Sequence, residues 1–220
     1  MYYQTGTRKS FKSPSTLVTA LAGIGALALV VEFILFFVKA ISNEMNTYVV
    51  FDIISRVFLV AASVVFIVYY FFCYKENKGA ALVLATYIGI AVYGFVLAVR
   101  ALFALIEGVS AEGADVFKVM IGQLPPLTTP VIITILFALV AMKFFTNNFS
   151  KLIYTMALAF VLAVLPQEVM SSICGLITSS ADDKMPLITA ILLPVGKALF
   201  YTALTFFGVK EFYGRVSTKK

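Results

Sequence analysis

Residues 185–209 read MPLITAILLPVGKALFYTALTFFGV, and this stretch decides the fold class. A helix crosses the ~30 Å hydrocarbon core of a bilayer with about 20 apolar residues, so the run is long enough to span. It nevertheless carries Pro194 and Lys197 near its middle. A lysine at that depth costs roughly 3 kcal/mol even on insertion scales, so it faces protein or a water-filled cavity rather than lipid. The proline three positions earlier has no N–H, frees a carbonyl on the preceding turn and permits a kink. Lys197 is therefore the first candidate binding residue.

Five further runs of this kind lie upstream. The chain has 220 residues, 61% hydrophobic and 13% charged, whereas soluble domains use about 45–50% apolar residues. The runs fall at about 17–41, 49–74, 80–106, 127–146, 151–177 and 186–209. None alternates with period two, which excludes a β-barrel. The expectation is an all-α, polytopic membrane protein: one six-transmembrane-helix bundle, with basic tails at 1–16 and 210–220. The first run is too long for the apolar region of a cleaved signal peptide, so it reads as a retained helix.

Charge sets the expected topology. Arg8, Lys9, Lys12, Lys75, Lys78, Lys143, Lys151, Lys210, Arg215, Lys219 and Lys220 flank one side of the spans, and only Lys39, Lys118 and Lys184 flank the other. Eleven against three is a positive-inside bias that puts both termini in the cytoplasm of a cell whose plasma membrane holds the chain. The net charge of +6 then reflects topology, and no nucleic acid is needed to explain it. Cys73 and Cys174 fall on opposite sides and cannot pair. The sequon Asn148-Phe149-Ser150 falls on the cytoplasmic side and is discounted.

Catalysis has little to stand on. There is no His, which excludes the common zinc sites and imidazole acid–base chemistry. No paired aspartates on adjacent helices, metal-ligand cluster or phosphate-cradling glycine loop occurs. No enzyme, cofactor or metal is expected, and the chain cannot use ATP alone.

Local patterns carry more. In the first span Thr19/Gly23, Ala22/Ala26 and Gly25 form a smooth small-residue face, for packing within the bundle or for docking on another membrane subunit. Asp52 and Arg56 lie four apart and read as an i,i+4 ion pair. Tyr69, Tyr70, Phe71, Phe72 and Tyr74 read as an interfacial aromatic belt. Residues 107–126 read as a long acidic loop holding a short surface helix that Pro125-Pro126 stops. Pro166, Gln167, Glu168, Ser171 and Ser172 read as an interruption of the fifth span.

Five ionisable residues fall inside spans: Glu32, Arg56, Arg100, Glu168 and Lys197. Helix direction puts all five at the midplane or towards the outer face. They either pair internally and hold the helices in register, or line an outward-facing polar cavity whose spare positive charge suits an anionic ligand. Arg100 can alternatively snorkel to the outer headgroups.

Six spans, cytoplasmic termini, Ala22-x-x-x-Ala26 in the first helix and Pro194-Val195-Gly196-Lys197 in the last resemble the substrate-binding S components of energy-coupling factor transporters. That resemblance implies uptake of a small, vitamin-like nutrient in a bacterial membrane, with a transmembrane coupling subunit and ATPases as partners. It also implies that Ala22 and Ala26 dock on that subunit and that Lys197, Arg100, Glu168, Glu32 and Arg56 surround the ligand. The short 43–48 connection and the absence of Trp depart from the family pattern. Two other classes stay open: a non-transport assembly, immunity or scaffold factor with structural charges, and a self-contained channel or proton-coupled carrier.

Overall fold

The computed structural model describes the backbone of residues 15–42, 45–74, 79–113, 115–145, 151–178 and 184–208, and their side chains except at 125, 143–145, 151, 167–178 and 184–190. Among the described residues there are six helices and no strand: α1 (Thr16–Ser42), α2 (Thr47–Val68), α3 (Ala80–Ser110), α4 (Val116–Phe145), α5 (Lys151–Thr178) and α6 (Lys184–Gly208). The last turn of α2 widens into a π-helix, Tyr69–Cys73. Stretches of membrane-spanning length and composition occur in five: Thr16–Ser42, Thr47–Cys73, Ala80–Ser110, Val116–Met142 and Ile191–Gly208. Outward residues such as Leu27, Phe72, Phe95 and Phe117 are exposed and apolar, as contact with a bilayer requires. The two tails, the 146–150 connection, the sequon and the loop before α6 lie outside the described residues.

Each helix packs against its sequence neighbour, and α6 returns against α1, closing a ring of contacts. The helix starts are built locally. Asn46 caps α2, its Oδ1 accepting from Val49 N at 2.9 Å, which satisfies one of the free donors of the first turn. Asp115 does the same before α4 for Lys118 N at 3.3 Å. Gly79, with φ of +83°, turns the chain from the π-helix into α3, a left-handed conformation that costs glycine nothing.

Two expectations change here. α4 is not preceded by a loop-borne surface helix: it starts at Val116 and continues through Pro125, Pro126 and Pro130. A proline removes one backbone donor, whereas ending a helix in an apolar setting leaves several groups without partners, so continuation costs less. Packing on α3 runs the length of the pair, from Gly108 beside Val119 to Gly94 beside Thr134 and Pro130. Likewise α5 continues past Pro166 without a break.

The aromatic cluster at the end of α2 also splits. Tyr69, Tyr70 and Tyr74 are buried, and only Phe71 and Phe72 face outward. The extra residue in the π-turn rotates the tyrosines onto the inner face, where Tyr70 stacks on Tyr74 at 4.9 Å and Phe207 of α6 meets Phe66 edge-on at 5.4 Å. The Tyr70 hydroxyl accepts from Ser15 N at 2.7 Å and so holds the start of α1. Farther in, Tyr154 donates its hydroxyl to the Leu204 carbonyl at 2.6 Å. Tyr154→Phe keeps the ring and removes the hydroxyl's bonds to the Leu204 carbonyl and to Tyr87, so thermal unfolding in detergent should show a loss of about 1–3 kcal/mol.

Candidate functional site

The polar residues of the interior come from two helical spacings. On α2, Tyr48, Asp52 and Arg56 recur every fourth residue, and on α3, Tyr93, Arg100 and Glu107 recur every seventh. Each spacing returns to the same helix face. The two stripes lie along the α2–α3 contact and continue onto α1 and α6.

At the inner end, Glu32 of α1 accepts from Arg56 Nε of α2, at 3.0 Å to Oε1 and 3.3 Å to Oε2. Phe36, one turn beyond Glu32, lies under the guanidinium, its ring centroid 3.7 Å from Cζ. Arg56 Nη1 also reaches the Asp52 carbonyl at 3.4 Å. α1 thus grips Arg56 with a carboxylate and an aromatic face. Lys197 of α6 is buried, with Nζ 5.3 Å from the Tyr93 ring centroid, and its charge acts on Glu32.

The seam then alternates in sign toward the end of the bundle where α2 begins. Arg100 Nε meets Asp52 Oδ1 at 2.8 Å, its Cζ lies 5.6 Å from the Tyr48 ring centroid, and the Tyr48 hydroxyl donates to Glu107. Side-chain exposure rises along the series, from 2% at Glu32 through 16% at Arg56 and 22% at Asp52 to 38% at Arg100. The seam is therefore enclosed at mid-bundle and open at one end.

This corrects the local reading of Asp52 and Arg56. Both point to other helices, Arg56 to Glu32 and Asp52 to Arg100, because a cross-helix partner in a half-buried seam relieves desolvation that a solvated i,i+4 pair would not. Asp52 thereby supplies Arg100 with a counter-charge that the five ionisable residues inside the spans do not include.

Glu32, Arg56 and Arg100 are thus brought together, with Lys197 within electrostatic reach, while the Glu168 side chain lies outside the described residues. Ala22 and Ala26 are 1% and 3% exposed. The same helix face meets α6, where Gly25 approaches Gly196 and the Phe200 backbone. Docking through these two alanines would require α1 and α6 to part. Asp52, Tyr48, Glu107, Phe36 and Tyr93 were not among the expected site residues, although the four-residue and seven-residue spacings were available as a signal. Among the described residues no group of His, Cys, Asp and Glu is placed to hold a metal ion. Comparison with known protein families, curated proteins and solved structures finds no match.

Proposed function

We propose that this chain is a six-span plasma-membrane protein with cytoplasmic termini, and that it takes a small zwitterionic or anionic nutrient from outside into the seam between α1, α2, α3 and α6. In this reading it is the binding subunit of an uptake system. A separate transmembrane coupling subunit with ATPases drives release, since the chain has no nucleotide motif of its own. One observation supports it above others: a sign-alternating seam whose exposure falls steadily from the α2 start to Glu32. A solute bearing both charges can enter such a seam by exchanging partners, leaving no ion unmatched. A simple anion would strand a cation, so the alternation favours the zwitterion.

A second reading has its own observation. Glu32, Arg56, Asp52 and Arg100 each already face an opposite charge, as they would if they only held the helices in register. A thermal-shift screen of detergent-purified protein against amino acids, vitamins and nucleobases separates the two. A true ligand at 100 times its Kd adds about 2.7 kcal/mol, which for a chain of this size is a rise on the order of 5–10 °C. We expect a selective shift that Lys197→Ala abolishes. No shift with any compound, and a Lys197→Ala protein that merely melts lower, would leave the structural reading standing.

A further inference from the structure

Among the described residues, the two ends of α2 are held by different chemistry. At the end where α2 finishes, Phe66, Tyr69, Tyr70, Tyr74 and Phe207 interlock as buried rings, four of them edge-on to Phe207 within 6.1 Å. At the other end, α2 and α3 are joined by the Asp52–Arg100 pair and the Tyr48–Glu107 hydrogen bond, both partly open to solvent, beside one ring contact, Phe51 to Phe103 at 5.5 Å. Packed rings cannot separate without losing dispersion and burial that water does not replace. Half-exposed ions exchange protein partners for water with little net change. Among the described residues, the contacts of α2 therefore yield first at its polar start.

Arg100 takes part in both turns of that contact. Its Nε holds Asp52, one turn above Arg56, while its guanidinium lies toward the ring of Tyr48, whose hydroxyl holds Glu107. One side chain of α3 thus ties two turns of α2. Ser55 sits immediately beneath, buried and donating to the Asp52 carbonyl at 2.9 Å. Ser63, two turns or about 12 Å deeper, is also fully buried and donates to the Val60 carbonyl at 2.8 Å.

We infer that Arg100 is the latch of a one-sided entrance: releasing it from Asp52 opens the α2–α3 seam to water down to Arg56 and no farther. This rests on the seam being the solute's route, but its test needs no solute. In a chain with Cys73 and Cys174 replaced by alanine, Ser55→Cys and Ser63→Cys are made separately. Each is reacted in nanodiscs with a small charged methanethiosulfonate, which reaches both ends of the bundle. Arg100→Ala, and independently Asp52→Asn, should raise the Ser55→Cys reaction rate about two- to fivefold, the range set by a half-exposed ion pair, and leave Ser63→Cys unreactive. A Ser55→Cys rate unchanged in both backgrounds overturns the latch, and so does a rise at both cysteines together, which reports general loosening. A thermal-shift hit with an unmoved labelling rate would retain binding and remove the latch. Latch-dependent labelling with no hit would do the reverse.

Discussion

Glu32→Ala should lower the unfolding free energy by about 3–5 kcal/mol, the range for removing one partner of a buried ion pair. The carboxylate is almost fully enclosed and is the counter-ion of Arg56, whose guanidinium is also held over Phe36. With Glu32 gone, Arg56 stays in a low-dielectric site with Lys197 acting from α6, and neither water nor lipid restores the lost charge. Arg56→Ala should cost a similar amount for the mirror-image reason. Glu32→Met with Arg56→Met should recover most of it, because both desolvation costs vanish together and the replacements fill similar space. Chemical or thermal denaturation of the parent, Glu32→Met, Arg56→Met and the double variant in one detergent gives the coupling energy directly. The double variant also bears on function: if it is stable but no longer shifted by a ligand of the parent, the pair is used for binding as well as for holding α1 to α2.

The second large effect is expected at the α1–α6 crossing. A Cβ on Gly25 would lie 2.8 Å from Phe200 N, 3.1 Å from Leu199 Cβ and 3.2 Å from Gly196 O. Two of these three are backbone atoms, so no rotamer change relieves them and the helices must move apart. Gly25→Ala should cost about 1–3 kcal/mol as overpacking, and Gly25→Leu should prevent the native α1–α6 contact. Gly196→Ala should be milder, since its closest neighbour is the flexible Leu29 side chain at 2.9 Å. Gly23→Ala is the internal control. Nothing lies within 4 Å of that Cβ, and alanine is the better helix former by about 1 kcal/mol, so this protein should melt no lower than the parent. If Gly23→Ala and Gly25→Ala destabilise equally, close approach of the two helices is not what the glycine provides.

The helices and the seam were legible to different degrees. An apolar run is a local property, and water or lipid imposes its consequence on each segment separately. The extents of α1, α5 and α6 therefore follow closely from the runs at 17–41, 151–177 and 186–209. The fourth helix was misread at its start because Pro125-Pro126 is a strong stop in water, while α4 keeps its helix there along α3. The tyrosines at 69, 70 and 74 were misread because their inward turn depends on a single extra residue in a π-turn.

Apolar length, the spacing of small residues and the depth of each charge are written into the chain residue by residue. From these alone follow an all-helical protein with runs long enough to span a bilayer and a few ionisable residues set inside them. Which charge faces which is not a property of any one segment. Asp52 and Arg56 share a face of α2, and only the placement of α1 on one flank and α3 on the other sends Arg56 to Glu32 and Asp52 to Arg100. The same placement encloses Ala22 and Ala26. Partner choice is set by desolvation and distance across helices, and those quantities exist only once the helices are packed.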